Sequence, residues 1–433
     1  MLRVSCLVLA FATLLPQVLH AQDTPLSQVL VELIQADVRL APPSQPGFPT
    51  HEAHFVPGED QVLAPYLFNQ AIVSQLSAYP VGSSSGGFTY NFDPALGTYA
   101  RSSNTFGPSF AERALTIGKG RLNVGGNYQH ASFNTFEGKD LEGGDIRFYL
   151  THEDVAGDQF FEGDLVETAL DVDITTDTFS MFANYGLTSR FDIGIVVPVA
   201  HVRLDATVVA SVLRLATENI TGIHQFVGEE SRETIVESGS ATGIGDILLR
   251  GKYHFLPRGA GGLAAAMDLR LPTGDEENLL GTGATQAKFY VIGSGAVSRL
   301  APHFNIGYTF SGDSSNEFLN VTDEFNYVVG TEIYASERLT VNFDVIGRQL
   351  IDSGRLVDQT KTFNFRNVAG QQGSASFNEF ALRDGNLSLA TSAIGVKFNP
   401  MRNLLISANL LLPMTDGGIR SNPVPVIGID YAF

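Results

Sequence analysis

The sequence predicts an all-β fold: a transmembrane antiparallel β-barrel of about twelve strands, preceded by a segment of mixed helical and loop character. Three observations carry this. From Lys119 onward apolar and polar residues alternate with a period of two, which puts one kind of side chain on each face of a strand. The connections between the alternating runs are short and long in strict turn, as in barrels whose turns lie at one rim and whose loops lie at the other. After the first 22 residues no run reaches the ~18 apolar residues that a membrane-spanning helix needs.

Composition agrees with a β protein. The chain has 44 Gly, 30 Phe and 13 Tyr, no Trp, and a net charge of −19. Its mean hydropathy is slightly positive, +0.07. So acidic a chain is a poor partner for nucleic acid.

In chain order, MLRVSCLVLAFATLLPQVLHAQ (1–22) reads as a cleaved secretory signal. Arg3 supplies the positive start, CLVLAFATLL the apolar core, and Ala21 the small residue at the cut. The only cysteine, Cys6, lies inside it, so the exported chain carries no disulfide framework. Residues 23–118 are irregular in texture. Leu26, Val29, Leu30, Leu33, Ile34 and Val38 fall at helical spacing behind Thr24 as N-cap and Pro25 in the first turn. A second short helix starts after Asp60, and a Gly/Ser/Pro-rich run follows it. This segment reads either as a plug inside or beneath the barrel or as a periplasmic arm for a partner. His51 and His54 form a short H-x-x-H without a third ligand.

The barrel occupies 119–433. Strands are expected near 119–133, 169–186, 190–205, 244–256, 262–272, 286–298, 302–312, 322–334, 338–350, 386–398, 403–412 and 423–433. An extra hairpin around IRFYL, in 143–168, would raise the number from twelve to fourteen. The final run VPVIGIDYAF reads as the closing strand, pairing near Leu122, with Ile427, Ile429 and Tyr431 toward lipid and Asp430 toward the lumen. A terminal Phe433 on such a strand resembles the signal by which bacterial barrel-assembly machinery recognises its clients. Without Trp, the interfacial girdle falls to Tyr and Phe, for example Tyr128, Tyr185, Tyr253, Tyr308 and Tyr327.

Five stretches resemble the outer-membrane family named for the MetA pathway of phenol degradation. They are ANYGLTSRFDIGIVVPV (183–199), SGSATGIGDILLRGKYHF (238–255), LRLPTGD (269–275), HFNIGYTFSG (303–312) and ASERLTVNFDVIG (335–347). The chain is more distantly similar to the long-chain fatty acid transporters, whose N-terminal segment plugs the barrel. The resemblance implies an outer-membrane barrel concerned with passage of hydrophobic or aromatic compounds.

Inward parity selects the candidate site: Asp246, Arg250, Lys252 and His254 on one strand, Asp268 and Arg270 on the next, then Lys288, and further on Asn342, Asp344 and Asp430. Neighbouring strands lie about 5 Å apart, so opposite charges on them form a ladder. That ladder is either a charged wall that selects solutes or a set of internal salt bridges that stiffens a filled barrel. The loop 134–168 is rich in carboxylates, which could hold Ca²⁺ through their oxygens; the plainer reading is a solvated outer loop, bridged to lipopolysaccharide by divalent ions. Asp275, Glu276 and Glu277 are a weak cation corner, with a Gly-punctuated loop as the plainer account. No cofactor motif is present, and no Ser- or Asp-centred motif beside a histidine matches a barrel hydrolase. The sequence therefore predicts a Gram-negative outer-membrane channel for small hydrophobic or aromatic solutes, with lipid, lipopolysaccharide and the assembly machinery as its contacts. A closed structural or adhesive barrel is the alternative, and a rim hydrolase a more remote one.

Overall fold

The computed structural model describes residues 24–433 except 36–37, 45, 49–54, 78–86, 94–97, 153–158, 229, 317–318 and 320. The predicted signal peptide and the His51/His54 pair lie outside the described residues.

Twelve antiparallel strands close on themselves. They are β1 (Leu122–Phe136), β2 (Leu165–Gly186), β3 (Phe191–Leu213), β4 (Arg232–Ile244, resuming after Gly245 and Asp246 as Ile247–Arg258), β5 (Gly261–Leu271) and β6 (Gln286–Ser294). The circuit continues through β7 (Leu300–Ser311), β8 (Glu324–Ser336), β9 (Leu339–Leu350), β10 (Leu387–Met401), β11 (Leu404–Pro413) and β12 (Val424–Ala432). Each pairs with the next, and β12 closes on β1 from Val426↔Gln129 to Ala432↔Asn123. Closure leaves no row of unpaired backbone groups facing lipid, where each would cost several kcal/mol. All twelve expected strands are present, and the final strand pairs where VPVIGIDYAF placed it.

The wall is polar inside and apolar outside. On β9, Asn342 and Asp344 are buried while Phe343 between them is 43% exposed. On β4, Lys252 is fully buried while the adjacent Tyr253 is 46% exposed. A soluble protein would reverse both. Ile427, Ile429 and Tyr431 are exposed, and Asp430 is buried. Of the expected girdle, Tyr128, Tyr185, Tyr253 and Tyr327 are exposed, and Tyr308 is partly exposed.

Strands β2, β3 and β4 reach further than the alternation suggested: to 165 rather than 169, to 213 rather than 205, and from 232 rather than 244. The reason is a change of polarity along single strands. One cross-strand row reads Tyr128, Phe179, Val199 and Ile244, all apolar on the outer face. The next row toward the long loops reads His130, Asp177, His201 and Thr242, all polar on that face. There Asp177 accepts a hydrogen bond from the Tyr128 hydroxyl and lies 2.9 Å from His130 Nδ1. Beyond this row the inner face turns apolar instead: Val166, Leu170, Val172 and Ile174 on β2 and Val202, Leu204 and Val208 on β3 are buried. The rows mark where the sheet leaves lipid for water.

That apolar extension packs under two helices, α1 (Leu26–Gln35) and α2 (Glu59–Ser77). Leu26, Val29, Leu30 and Leu33 of α1 and Phe68, Ile72 and Val73 of α2 share one core with the β2–β3 extension, and the Phe68 and Phe136 rings stack at 4.0 Å. The helices thus cap the long-loop mouth, and α2 is a 19-residue helix that continues through Pro65 rather than the short one expected. The IRFYL run is a strand, Ile146–His152, but it pairs with the extended end of β2 and adds nothing to the barrel circuit. A separate hairpin, Arg355–Arg366 with Gln372–Arg383, stands on the same rim, so the count stays at twelve.

The boundary row predicts position-dependent tolerance of charge. Ile195→Lys, inside the belt, is expected to destabilise the barrel by about 2–4 kcal/mol, and Thr242→Lys, just beyond it, by about 0–1 kcal/mol. Urea unfolding in lipid vesicles checks the pair.

Candidate functional site: a lumen crossed by residues 103–118

Past the short hairpin Tyr90–Asp93 with Thr98–Arg101, the chain enters the barrel and crosses it. From 103 to 118 it forms neither helix nor strand, so its backbone groups need partners from elsewhere. The wall supplies them. Phe106 N–H donates to Thr340 Oγ1 (3.1 Å), Gly107 N–H to Glu332 Oε2 (3.0 Å) and Glu112 N–H to Asn305 Oδ1 (2.7 Å). Ala114 N–H donates to Ser294 Oγ (3.0 Å) and Ile117 N–H to Asp192 Oδ2 (3.1 Å). Carbonyls are met by lysines: Lys397 Nζ donates to Pro108 O (2.8 Å), and Lys252 Nζ to Leu115 O (3.0 Å) and Arg113 O (3.3 Å). The partners come from β3, β4, β6, β7, β8, β9 and β10, so the segment is tied to most of the circumference. It leaves into β1 past Gly186, where a Cβ would lie 1.9 Å from the Gly118 carbonyl, a gap only glycine fits.

Glu112 is the segment's principal charged contact. It lies 2.6 Å from Arg250 Nη1 and 3.2 Å from Lys252 Nζ. Arg250 grips Asp268 with two further bonds of 2.6 Å, and the Tyr290 hydroxyl donates to the same carboxylate. Bidentate contact of this kind is the strong form of the ion pair.

The ten residues selected by parity all lie on the inner side of the wall, but they do different work. Asp246 holds the loop after β5: it accepts from Gly274 N–H, Thr282 N–H and the Thr282 hydroxyl. This accounts for the LPTGD corner, in which the Thr273 hydroxyl also bridges Gly245 O and Ile247 N–H across β4. Lys252, Asn342 and Asp344 hold the crossing segment; Asn342 Nδ2 donates to Ser109 Oγ, and Asp344 accepts from Phe110 N–H while lying 2.6 Å from His303 Nε2. His254 is buried near the short-turn rim with its Nε2 atom unpaired. Asp430 is buried beside Lys397 and the Gly87 backbone. Arg270 and Lys288 face open space.

Inward parity also marks Asp192, Asn305, Glu324, Glu332, Arg348 and Lys397, which the ten candidates left out although the same alternation could have found them. Glu112 had no signal, because its segment has no period from which a facing direction can be read.

Asp275, Glu276 and Glu277 do not converge. Asp275 accepts from Glu277 and Asn278 within its own turn, and Glu276 accepts from the Ser315 hydroxyl. Among the described residues no group of three acidic, histidine or cysteine side chains is placed to hold a metal. The acidic loop is engaged in part: Glu137 is held by Arg355, Lys139 by Asp358, and Glu167 by Tyr149, whose hydroxyl is pushed well above its usual range by burial and by that carboxylate, while Asp140, Glu142 and Asp145 are exposed. Asp164 is fully buried, accepting from the Ala216 and Thr217 N–H groups and lying 2.8 Å from His224 Nδ1. Glu153, Asp154 and Asp158 lie outside the described residues.

Beside the crossing segment a cavity of about 130 Å³ remains, lined by charged residues of β4, β5, β6, β8 and β9 together with Phe110. A family model described as "Putative MetA-pathway of phenol degradation" matches residues 157–391, more than half of the chain. The chain belongs to that family. No curated protein sequence matches. Among solved structures, an outer membrane channel of Pseudomonas putida F1 is similar at a TM-score of 0.45 and 11% identity, over 74% of this chain and 98% of that one. A FadL homologue of Pseudomonas aeruginosa is similar at 0.31 and 11%, over 81% of this chain and 96% of that one. The toluene transporter TbuX of Ralstonia pickettii is similar at 0.29 and 11%, over 73% and 89%. The family match spans β2 to the start of β10, and so covers the charged wall of β4 to β6 while leaving out the crossing segment and the closing strands.

Removing the Glu112 carboxylate takes one ion-pair partner from each of two buried cations, Arg250, which keeps Asp268, and Lys252, which keeps Asp192, so the cost lies below the about 3–5 kcal/mol of a fully uncompensated buried charge. Glu112→Ala is therefore expected to free the crossing segment while the barrel survives. Limited proteolysis should cut within 103–118 faster than in the parent, with the heat-modifiable gel mobility of the folded barrel unchanged.

Proposed function

We propose that the protein is a non-enzymatic outer-membrane channel of a Gram-negative cell, exported through a cleaved signal at 1–22, that passes small hydrophobic or aromatic compounds. In this reading 23–118 is a plug built into 119–433: α1 and α2 cap the outer mouth, and 103–118 fills the lumen. The observation that carries it is the nature of the contacts at 103–118. They are mainly hydrogen bonds and ion pairs to a polar wall, which water and solute can replace, with only small apolar patches at Phe106 and Ala114 beside them. The wall residues that remain open toward the cavity beside it, Arg270 and Lys288 with Arg250 and Asp268, are the proposed selectivity lining. The family description, which names phenol degradation, supports the aromatic class of solute.

Solute would enter from the long-loop side, pass the charged wall, and leave past the displaced segment or sideways. Lipid and lipopolysaccharide surround the belt and loops, and the strand ending at Phe433 is the one presented to the assembly machinery. The density of polar contacts at 103–118 also favours a second reading, a permanently closed structural barrel. Planar-bilayer conductance and proteoliposome flux of an aromatic solute, with and without 23–118, separate the two. The channel reading expects low conductance from the complete chain and a large rise on removal of the segment. Absence of flux in both preparations supports the closed barrel and sinks the channel.

A further inference from the structure

The cavity beside the crossing segment has a charge imbalance. Its lining holds four cations, Arg250, Arg270, Lys288 and Arg348, against two carboxylates, Asp268 and Glu324. Both carboxylates are already taken in two-pronged fashion: Asp268 by Arg250 and Glu324 by Arg348. Asp246, the next acid toward Arg270, is consumed by the loop after β5. Arg270 and Lys288 are left with neither a hydrogen bond nor an ion pair among the described residues; Lys288 has only the Tyr290 ring, 5.0 Å from its Nζ. The two are diagonal neighbours, since Arg270 pairs with Gln286 and Lys288 sits two residues further along β6. Diagonal positions lie about 7–8 Å apart, within joint reach of one anionic group for side chains this long. Both are half-buried and lie near carboxylates to which neither is bonded, so an anion placed between them would gain charge-assisted hydrogen bonds from both.

The remaining lining sets the rest of the ligand. Phe110, Leu248, Val328 and Ile346 offer an apolar wall on the same cavity. Its volume, about 130 Å³, is close to that of a cavity that holds one benzene molecule, about 150 Å³. We propose that this cavity is a binding site for a small aromatic carboxylate, its anionic group between Arg270 and Lys288 and its ring against Phe110 and Leu248. The site deepens the channel reading, because it places a resting point for one solute class on the path, and it rests on the lumen being reachable from outside.

Equilibrium binding tests it without requiring transport. Detergent-solubilised full-length protein is titrated with 4-fluorobenzoate and followed by fluorine NMR, beside the double variant Arg270→Gln/Lys288→Gln and the conservative Lys288→Arg. The site expects binding by the parent, retention by Lys288→Arg, and a loss of at least about tenfold in the double variant. Heat-modifiable gel mobility verifies that each variant is folded. No binding by the folded parent, unchanged affinity in the folded double variant, equal binding of 4-fluorobenzyl alcohol, or equal displacement by inorganic phosphate would each overturn it. Binding without flux would leave the site standing and sink the channel reading; flux without binding would do the opposite.

Discussion

Closure of the hydrogen-bond ladder between β12 and β1 is the constraint from which the other features follow. A sheet with an open edge cannot sit in hydrocarbon, because unpaired N–H and C=O groups have no water there. Once the edges are joined, each strand has one face toward lipid and one toward an enclosed interior. Polar side chains then bury themselves and apolar ones stay exposed, as Asp344 and Phe343 do on consecutive positions of β9. The same strands obey the opposite rule where they leave the membrane. Above the His130–Asp177–His201–Thr242 row, polar groups face out and apolar groups face in, and the helices find a hydrophobic surface on which to dock.

An interior built from polar residues has to satisfy them, and this one does so largely with its own chain. The crossing segment brings backbone donors to carboxylates and amides of the wall and backbone acceptors to Lys252 and Lys397. Such contacts contribute modestly in net terms, about 0.5–1.5 kcal/mol each, but leaving a buried group unmet costs more. The lumen is therefore filled because its wall is polar, and the wall tolerates being polar because it is filled. Where the segment does not reach, the balance fails locally, and Arg270 and Lys288 are the result.

The outer rim belongs to a different regime. Phe68, Phe136, Phe148 and Phe380 form an aromatic centre between α2, β1, the Ile146–His152 strand and the rim hairpin. This is an ordinary water-driven core, assembled from loops that in a simple pore would be mobile. It ties α2 to the strands and hairpin of the outer rim.

The sequence by itself determined the barrel, its strand number to between twelve and fourteen, and the facing of its side chains, the ten inward residues among them, because a period of two records which face each residue occupies. It determined α1 for the same reason at a period of 3.6, and of α2 only its presence after Asp60, because that helix carries no clear apolar stripe. It misjudged the reach of β2, β3 and β4, since alternation continues across the lipid boundary while its meaning reverses. Only the tertiary structure decided what the inward charges do. Asp246 lies in the same ladder as Arg270, yet one is spent on a loop corner and the other faces a cavity. That difference is set by Gly274 and Thr282, which the loop after β5 folds back onto Asp246 and not onto Arg270. Local periodicity fixes direction, and partners are fixed by proximity in space.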